Sequence, residues 1–142
     1  MAPRILFFAA IAAVAIAAPA SAHHSFAIFD QSKVNYLTGT VKQFEMVNPH
    51  AWLHLVIAND RGETATWSFE GGSTAQLASL GWTPQAFKPG DKVQIGFRPM
   101  KDGSRGGQIM NVKTASGRSF VLIAAAVMAA GRFSRRSNRP NT

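Results

Sequence analysis

The chain of 142 residues has no cysteine, which excludes disulfides, thiolate nucleophiles and thiolate metal ligands together. Long apolar runs are missing as well. The longest, Ile5 to Ala18, has fourteen residues without a polar side chain, and a membrane-spanning helix needs roughly 20. Acidic residues number seven, scattered so that no two form an obvious acid–base pair. There is no HExxH, no GxSxG, no phosphate-binding loop and no internal repeat. A non-enzymatic protein is therefore expected.

The first segment reads as an address. Met1 to Arg4 is short and basic, the apolar run follows, Pro19 breaks it, and Ala20-Ser21-Ala22 offers the small residues that a signal peptidase reads. Cleavage is expected between Ala22 and His23, which gives an export signal over 1–22 and a periplasmic or secreted protein. The 120 residues that remain suffice for one domain with one core. The formal net charge of +8 is unevenly spread: residues 23–118 carry ten Lys or Arg against seven acids, whereas 119–142 carries four Arg and no acid. No specific nucleic-acid partner is expected from such a tail. Arg132, Arg135, Arg136 and Arg139 suit a solvated end or weak contact with a membrane surface.

Between Leu37 and Thr114 the pattern is mainly strand-like. Leu53, Leu55 and Ile57 alternate with Trp52, His54 and Val56; Ala65, Trp67 and Phe69 are expected inward, and so are Val93, Ile95 and Phe97. Leu37, Gly39 and Val41 share a parity that Phe44 breaks, which predicts a bulge near Lys42 and Gln43. In "GGSTAQLASLGW" Ser73 and Gln76 form a capping box, Leu77 and Leu80 are expected to share a face, Gly81 to end the helix, and Trp82 to fold back over it. "KPGD" at 88–91 is a turn, and "KDGSRGG" is read as the loop before a last strand around 109–112. Three strands, a helix and two strands is the order of a small five-stranded OB-like barrel, with the helix between strands three and four. The domain is placed at 23–118. Residues 119–142 form an apolar, then Arg-rich extension, whose first part, Phe120 to Ala130, is either a last strand or a surface helix.

Four histidines, His23, His24, His50 and His54, are the candidate ligands. Cleavage before His23 would free an α-amino group beside two imidazoles, a donor set that suits copper(II). His50 and His54 lie ~13 Å apart if both stand on one strand, too far to share an ion. His50, after Asn48-Pro49, is expected at the barrel rim facing a site, and His54 within the sheet, hydrogen-bonded. Glu70 is the best acid candidate. Trp52, with Trp67 and Trp82, offers rings for stacking on a ligand, against which stands the packing of all three in the core. Lys92, Arg98, Lys101 and Arg105 would form a basic edge.

With these residues in place, the chain resembles the domain-of-unknown-function family 6152. The stretches that carry the likeness are "AHHSF", "FD" at 29–30, "GTV" at 39–41, "NPH" at 48–50, "WSFEGGS" at 67–73, "GWT" at 81–83, "KPGD" at 88–91 and "KDG" at 101–103. The resemblance implies export and a shared β-barrel-like domain, and no settled activity. The expectation is thus an exported binding module whose metal site, copper above all, uses His23, His24 and His50, with Trp52 and Glu70 as ligand-binding residues. The alternatives are an envelope-associated anion or glycan binder and a structural envelope protein.

Overall fold

The computed structural model describes residues 26–123. The expected signal segment, His23, His24 and residues 124–142 lie outside the described residues. Six strands form, β1 (Asn35–Glu45), β2 (Trp52–Ala58), β3 (Thr64–Glu70), β4 (Lys92–Pro99), β5 (Gly106–Thr114) and β6 (Ser119–Val121), with one helix, α1 (Thr74–Ser79), between β3 and β4. Antiparallel pairs link β3, β2, β1, β4 and β5 in that order, and a parallel pairing of β3 with β5 closes the ring. This is a closed five-strand barrel with the helix where an OB-like order requires it. Among the described residues no helix is long and apolar enough to cross a membrane.

The barrel follows the alternation in the sequence. Leu53, Leu55, Ile57, Phe69, Val93, Ile95 and Phe97 are buried in one core, while Trp52, His54, Ser68 and Glu70 share the outer side of β2 and β3, where Trp52 faces Glu70 and His54 faces Ser68 across the ladder. The register of β1 slips between Val41 and Gln43, the bulge that the change of parity required. One end of the barrel is closed by rings: Phe87 stands 5.2 Å from Phe44 and 4.9 Å from Phe120, and Trp82 5.4 Å from Phe120. Helix α1 adds Leu77 to this plug. Ser73 Oγ accepts from the Gln76 amide at the N-terminus, and Gly81, at φ +81°, lets the Trp82 amide return to the Leu77 carbonyl at 3.0 Å.

Several expectations need correction. Leu80 does not join Leu77; it caps the helix and is 47 % exposed, because a six-residue helix ends before its second turn can bury a second side chain. Gly106 and Gly107 belong to β5 rather than to a loop. They are required there because β3 passes beside Gly106 and β4 beside Gly107 too closely for a Cβ. Trp52 is not a core residue: it lies half-buried on the outer side, its ring nearly parallel to that of His54. The sheet also runs past residue 118. β6 pairs with the second half of β5, and Phe120 and Leu122 are buried.

A strap completes the fold. After a 3₁₀ turn, Phe26–Ile28, the chain crosses the end of β4, where the Asp30 amide donates to the Pro99 carbonyl at 2.8 Å and the Lys101 amide to the Ile28 carbonyl at 2.9 Å. Phe29 is buried opposite Met100. Arg98 Nη1 donates to Gln31 Oε1, and Gln31 Nε2 donates to the Phe26 carbonyl at 3.1 Å. Residue 26 is thereby held at a defined place on the barrel wall.

Candidate metal centre

The loop before β2 positions His50. Asn48 Oδ1 accepts from both the amide and the hydroxyl of Thr74, at 3.1 and 2.9 Å, and so latches this loop to the start of α1. The Asn48–Pro49 peptide is cis. Ala51 then joins the ladder through the Gly72 carbonyl, at 2.9 Å, and the Gly71 amide returns to the Ala51 carbonyl at 2.8 Å. These bonds bring the end of β3 beside His50. His50 Nδ1–H donates to Glu70 Oε1 at 2.6 Å.

The two partners differ in exposure. Glu70 is 8 % exposed as a residue, whereas 37 % of the His50 side chain meets solvent. A buried carboxylate thus fixes one ring nitrogen of a histidine whose other nitrogen, Nε2, has no hydrogen-bond partner among the described residues. This is the arrangement by which proteins orient a metal-binding imidazole: the carboxylate sets the tautomer and the orientation of the ring. His50 and Glu70 lie on the wall of a cavity of about 260 Å³, along with Phe26, Ser73, Gln76 and Gln108.

His54 is arranged otherwise. Its Nδ1 shares a hydrogen bond with Ser68 Oγ at 2.8 Å, and its Nε2 lies 3.2 Å from Glu45 Oε2. Both ring nitrogens are engaged across three strands, which leaves none for a ligand. Trp52 borders a second, smaller cavity of about 200 Å³ with Ser68, Met100 and Arg105. Of the basic residues, Lys92 reaches back to Thr40 Oγ1 at 2.6 Å, while Arg98 holds the strap.

Among the described residues no three His, Asp or Glu side chains come close enough together to hold a metal ion. His50 would need donors from elsewhere. Sequence reasoning picked out His50 and Glu70 one at a time but not as a pair, and it missed Gln108. A glutamine between Gly107 and Ile109, at the start of the last predicted strand, was the available signal.

A family model described as a family of unknown function (DUF6152) matches residues 10–111, a span that includes His50, Glu70 and Gln108. No curated protein and no solved structure matches the chain.

Proposed function

The chain belongs to the family of unknown function DUF6152, so its role must be read from its own residues, and we propose that it is an exported, non-enzymatic binding module that holds a copper ion. His50 Nε2 is one ligand, oriented by Glu70. The α-amino group and ring of His23, freed by cleavage after Ala22, supply further nitrogens, with His24 beside them. Copper(II) is the ion of choice because the donor set is nitrogen-rich, thiol-free and open to a planar arrangement.

The observation that carries this reading is the hydrogen bond from His50 Nδ1 to a buried carboxylate, on a histidine that lines a cavity. Covalent geometry supports the rest. Phe26 lies on the wall of the same cavity, and at ~3.6 Å per residue His24 and His23 can stand no more than about 7 and 11 Å away along the chain. The short chain length between Phe26 and the two histidines supports a site shared with His50.

The test is a copper(II) titration of the protein whose first residue, verified by mass spectrometry, is His23. One equivalent should bind, with nitrogen couplings in the electron paramagnetic resonance spectrum. Uptake should fall sharply when one alanine precedes His23 and in His50→Ala, and should be unchanged in His54→Gln. Equal uptake by all four proteins, or none by the first, defeats the reading.

A further inference from the structure

The barrel has a tryptophan at each end, and the two are treated differently. At the plugged end Trp82 is 2 % exposed, sealed by the rings of Phe44, Phe87 and Phe120. At the opposite end, where β1 begins and β4 ends, stands Trp67 of β3. Phe69, nearly parallel to it with ring centres 6.2 Å apart, is wholly buried, and Phe97 meets it edge-on. Trp67 itself is only partly buried, which makes it the outer ring of this cluster. Among the described residues no helix covers this mouth as α1 covers the other end. A large ring left partly in water forgoes hydrophobic stabilisation that burial would supply.

Two cavities meet at this ring. One of about 570 Å³ extends to the β4–β5 hairpin, with Asn35 and Ser104 on its wall, and the other, of about 350 Å³, extends to the β2–β3 turn, with Asp60, Glu63 and Arg105. Leu37 and Trp67 line both, so the two form one trough across the open mouth. Sites for small ligands run from ~300 to 1,000 Å³, and the trough is large enough for one. Its two halves differ in chemistry. The wall of the first has no charged side chain, whereas the second carries charges of both signs. The turn that presents them is preset, because Asn59 Oδ1 accepts from the amides of Arg61 and Glu63 while Asn59 Nδ2 donates to Glu63 Oε2 at 2.7 Å.

We propose that this trough binds a neutral glycan, with one pyranose ring lying on Trp67 and its neighbouring sugar units in the two cavities. The site shares no residue with the copper reading and stands independently of it. The C–H bonds on the flat side of a pyranose carry slight positive charge and meet the electron-rich face of the indole. Sugar hydroxyls both donate and accept, which suits the carboxylates of Asp60 and Glu63, the Arg105 guanidinium and the Asn35 amide together. Two rival ligands fit less well. An oligonucleotide would also stack on the ring, but its phosphates would meet Asp60 and Glu63. A purely apolar molecule spanning both cavities would strip water from these polar groups and return no hydrogen bond.

The full chain is titrated by calorimetry, in EDTA so that no metal takes part. The probes are neutral hexasaccharides of β-1,4-linked glucose, of β-1,4-linked N-acetylglucosamine and of α-1,4-linked glucose, with hexathymidylate and the uncharged dye Nile red for the rival ligands. Saturable one-to-one binding of at least one hexasaccharide is expected. Trp67→Ala should weaken it about tenfold or more, as loss of a stacking ring does elsewhere, and His50→Ala should leave it unchanged. Should Trp67→Ala not fold, Asn35→Ala and Asp60→Ala change exposed side chains only, and each should weaken binding about threefold, the loss of a single modest hydrogen bond. Failure of all three hexasaccharides to bind overturns the proposal, and so does binding that none of the Trp67, Asn35 and Asp60 variants alters. Binding of Nile red or hexathymidylate in place of the sugars overturns it as well and gives the mouth to that class of ligand.

Discussion

Gly106 of β5 runs so close beside Ser68 of β3 that a methyl group on Gly106 would overlap the Ser68 carbonyl oxygen. This contact is where the barrel shuts. Three parallel pairs, Ser68 with Gly106, Phe69 with Gly107 and Glu70 with Gln108, join the two strands, and the last of them sets two site residues side by side. Because the obstacle at Gly106 is backbone rather than a movable side chain, Gly106→Ala should force the strands apart. A loss of about 2–3 kcal/mol is expected from overpacking, read as a lower urea midpoint, together with weaker copper binding. A variant as stable as the parent would show that the closure tolerates a wider gap.

Phe120 tests how far the domain extends. It packs on Phe87 and Trp82 at the plugged end, and Arg118 lies over its ring at 4.6 Å. Phe120→Ala should cost about 3–5 kcal/mol, and a chain ending at residue 118 should lose at least as much. Thermal unfolding followed by tryptophan fluorescence, with Trp82 in the affected cluster, measures both. Near-equal midpoints for the parent and the shortened chain would exclude β6 from the cooperative unit.

Glu70 is argued to orient rather than to ligate. Glu70→Gln keeps the size of the side chain and an acceptor for His50 Nδ1–H but removes the charge, and copper affinity should fall about 10–100-fold. The nitrogen couplings of the bound ion should persist, because the ligands themselves remain. Disappearance of the His50 coupling alone would make Glu70 indispensable for placing the ring, and unchanged affinity would deny it any part.

Acid should loosen the strap late. Hydrogen bonds from the Ser32 side chain, from Lys33 and from the Ser32 amide hold the Asp30 carboxyl down to about 2, from an ordinary 3.8. The folded value is depressed, so the contribution of Asp30 is fully present above its unfolded pKa and is lost as pH falls through about 2. Asp30→Asn should therefore be less stable than the parent at pH 7 and match it near pH 1.5. Carbon-13 titration of the Asp30 carboxyl provides the direct check, and a midpoint near 4 would mean that the hydrogen bonds do not hold in solution.

Much of this architecture was legible in the residues because local rules govern it. Alternation of apolar side chains marked β2, β3 and β4, the change of parity between Val41 and Phe44 marked the bulge, and Ser73 and Gly81 marked the ends of α1. Leu80 was misread because periodicity says nothing of where so short a helix stops. Gly106 and Gly107 looked like loop because a glycine needed for close approach has the same letter as one needed for a turn. Trp52 looked like core because a large ring on a strand is usually covered, although its parity opposite Leu53 and Leu55 already pointed to the outer side, where it faces Glu70.

The candidate site divides along the same line. Spacing and composition alone determined that the chain has no thiol chemistry, that its strands surround a short helix, and that four histidines are its only imidazoles. Which of His50 and His54 keeps a ring nitrogen without a partner among the described residues was decided only in three dimensions. His50 and Glu70 are brought together by the pairing of β2 with β3, His54 is consumed by Glu45 and Ser68 from two other strands, and Gln108 reaches the cavity only because β5 closes on β3. Hydrogen bonds between strands join residues far apart in the chain, and no local pattern of side chains records such a partner.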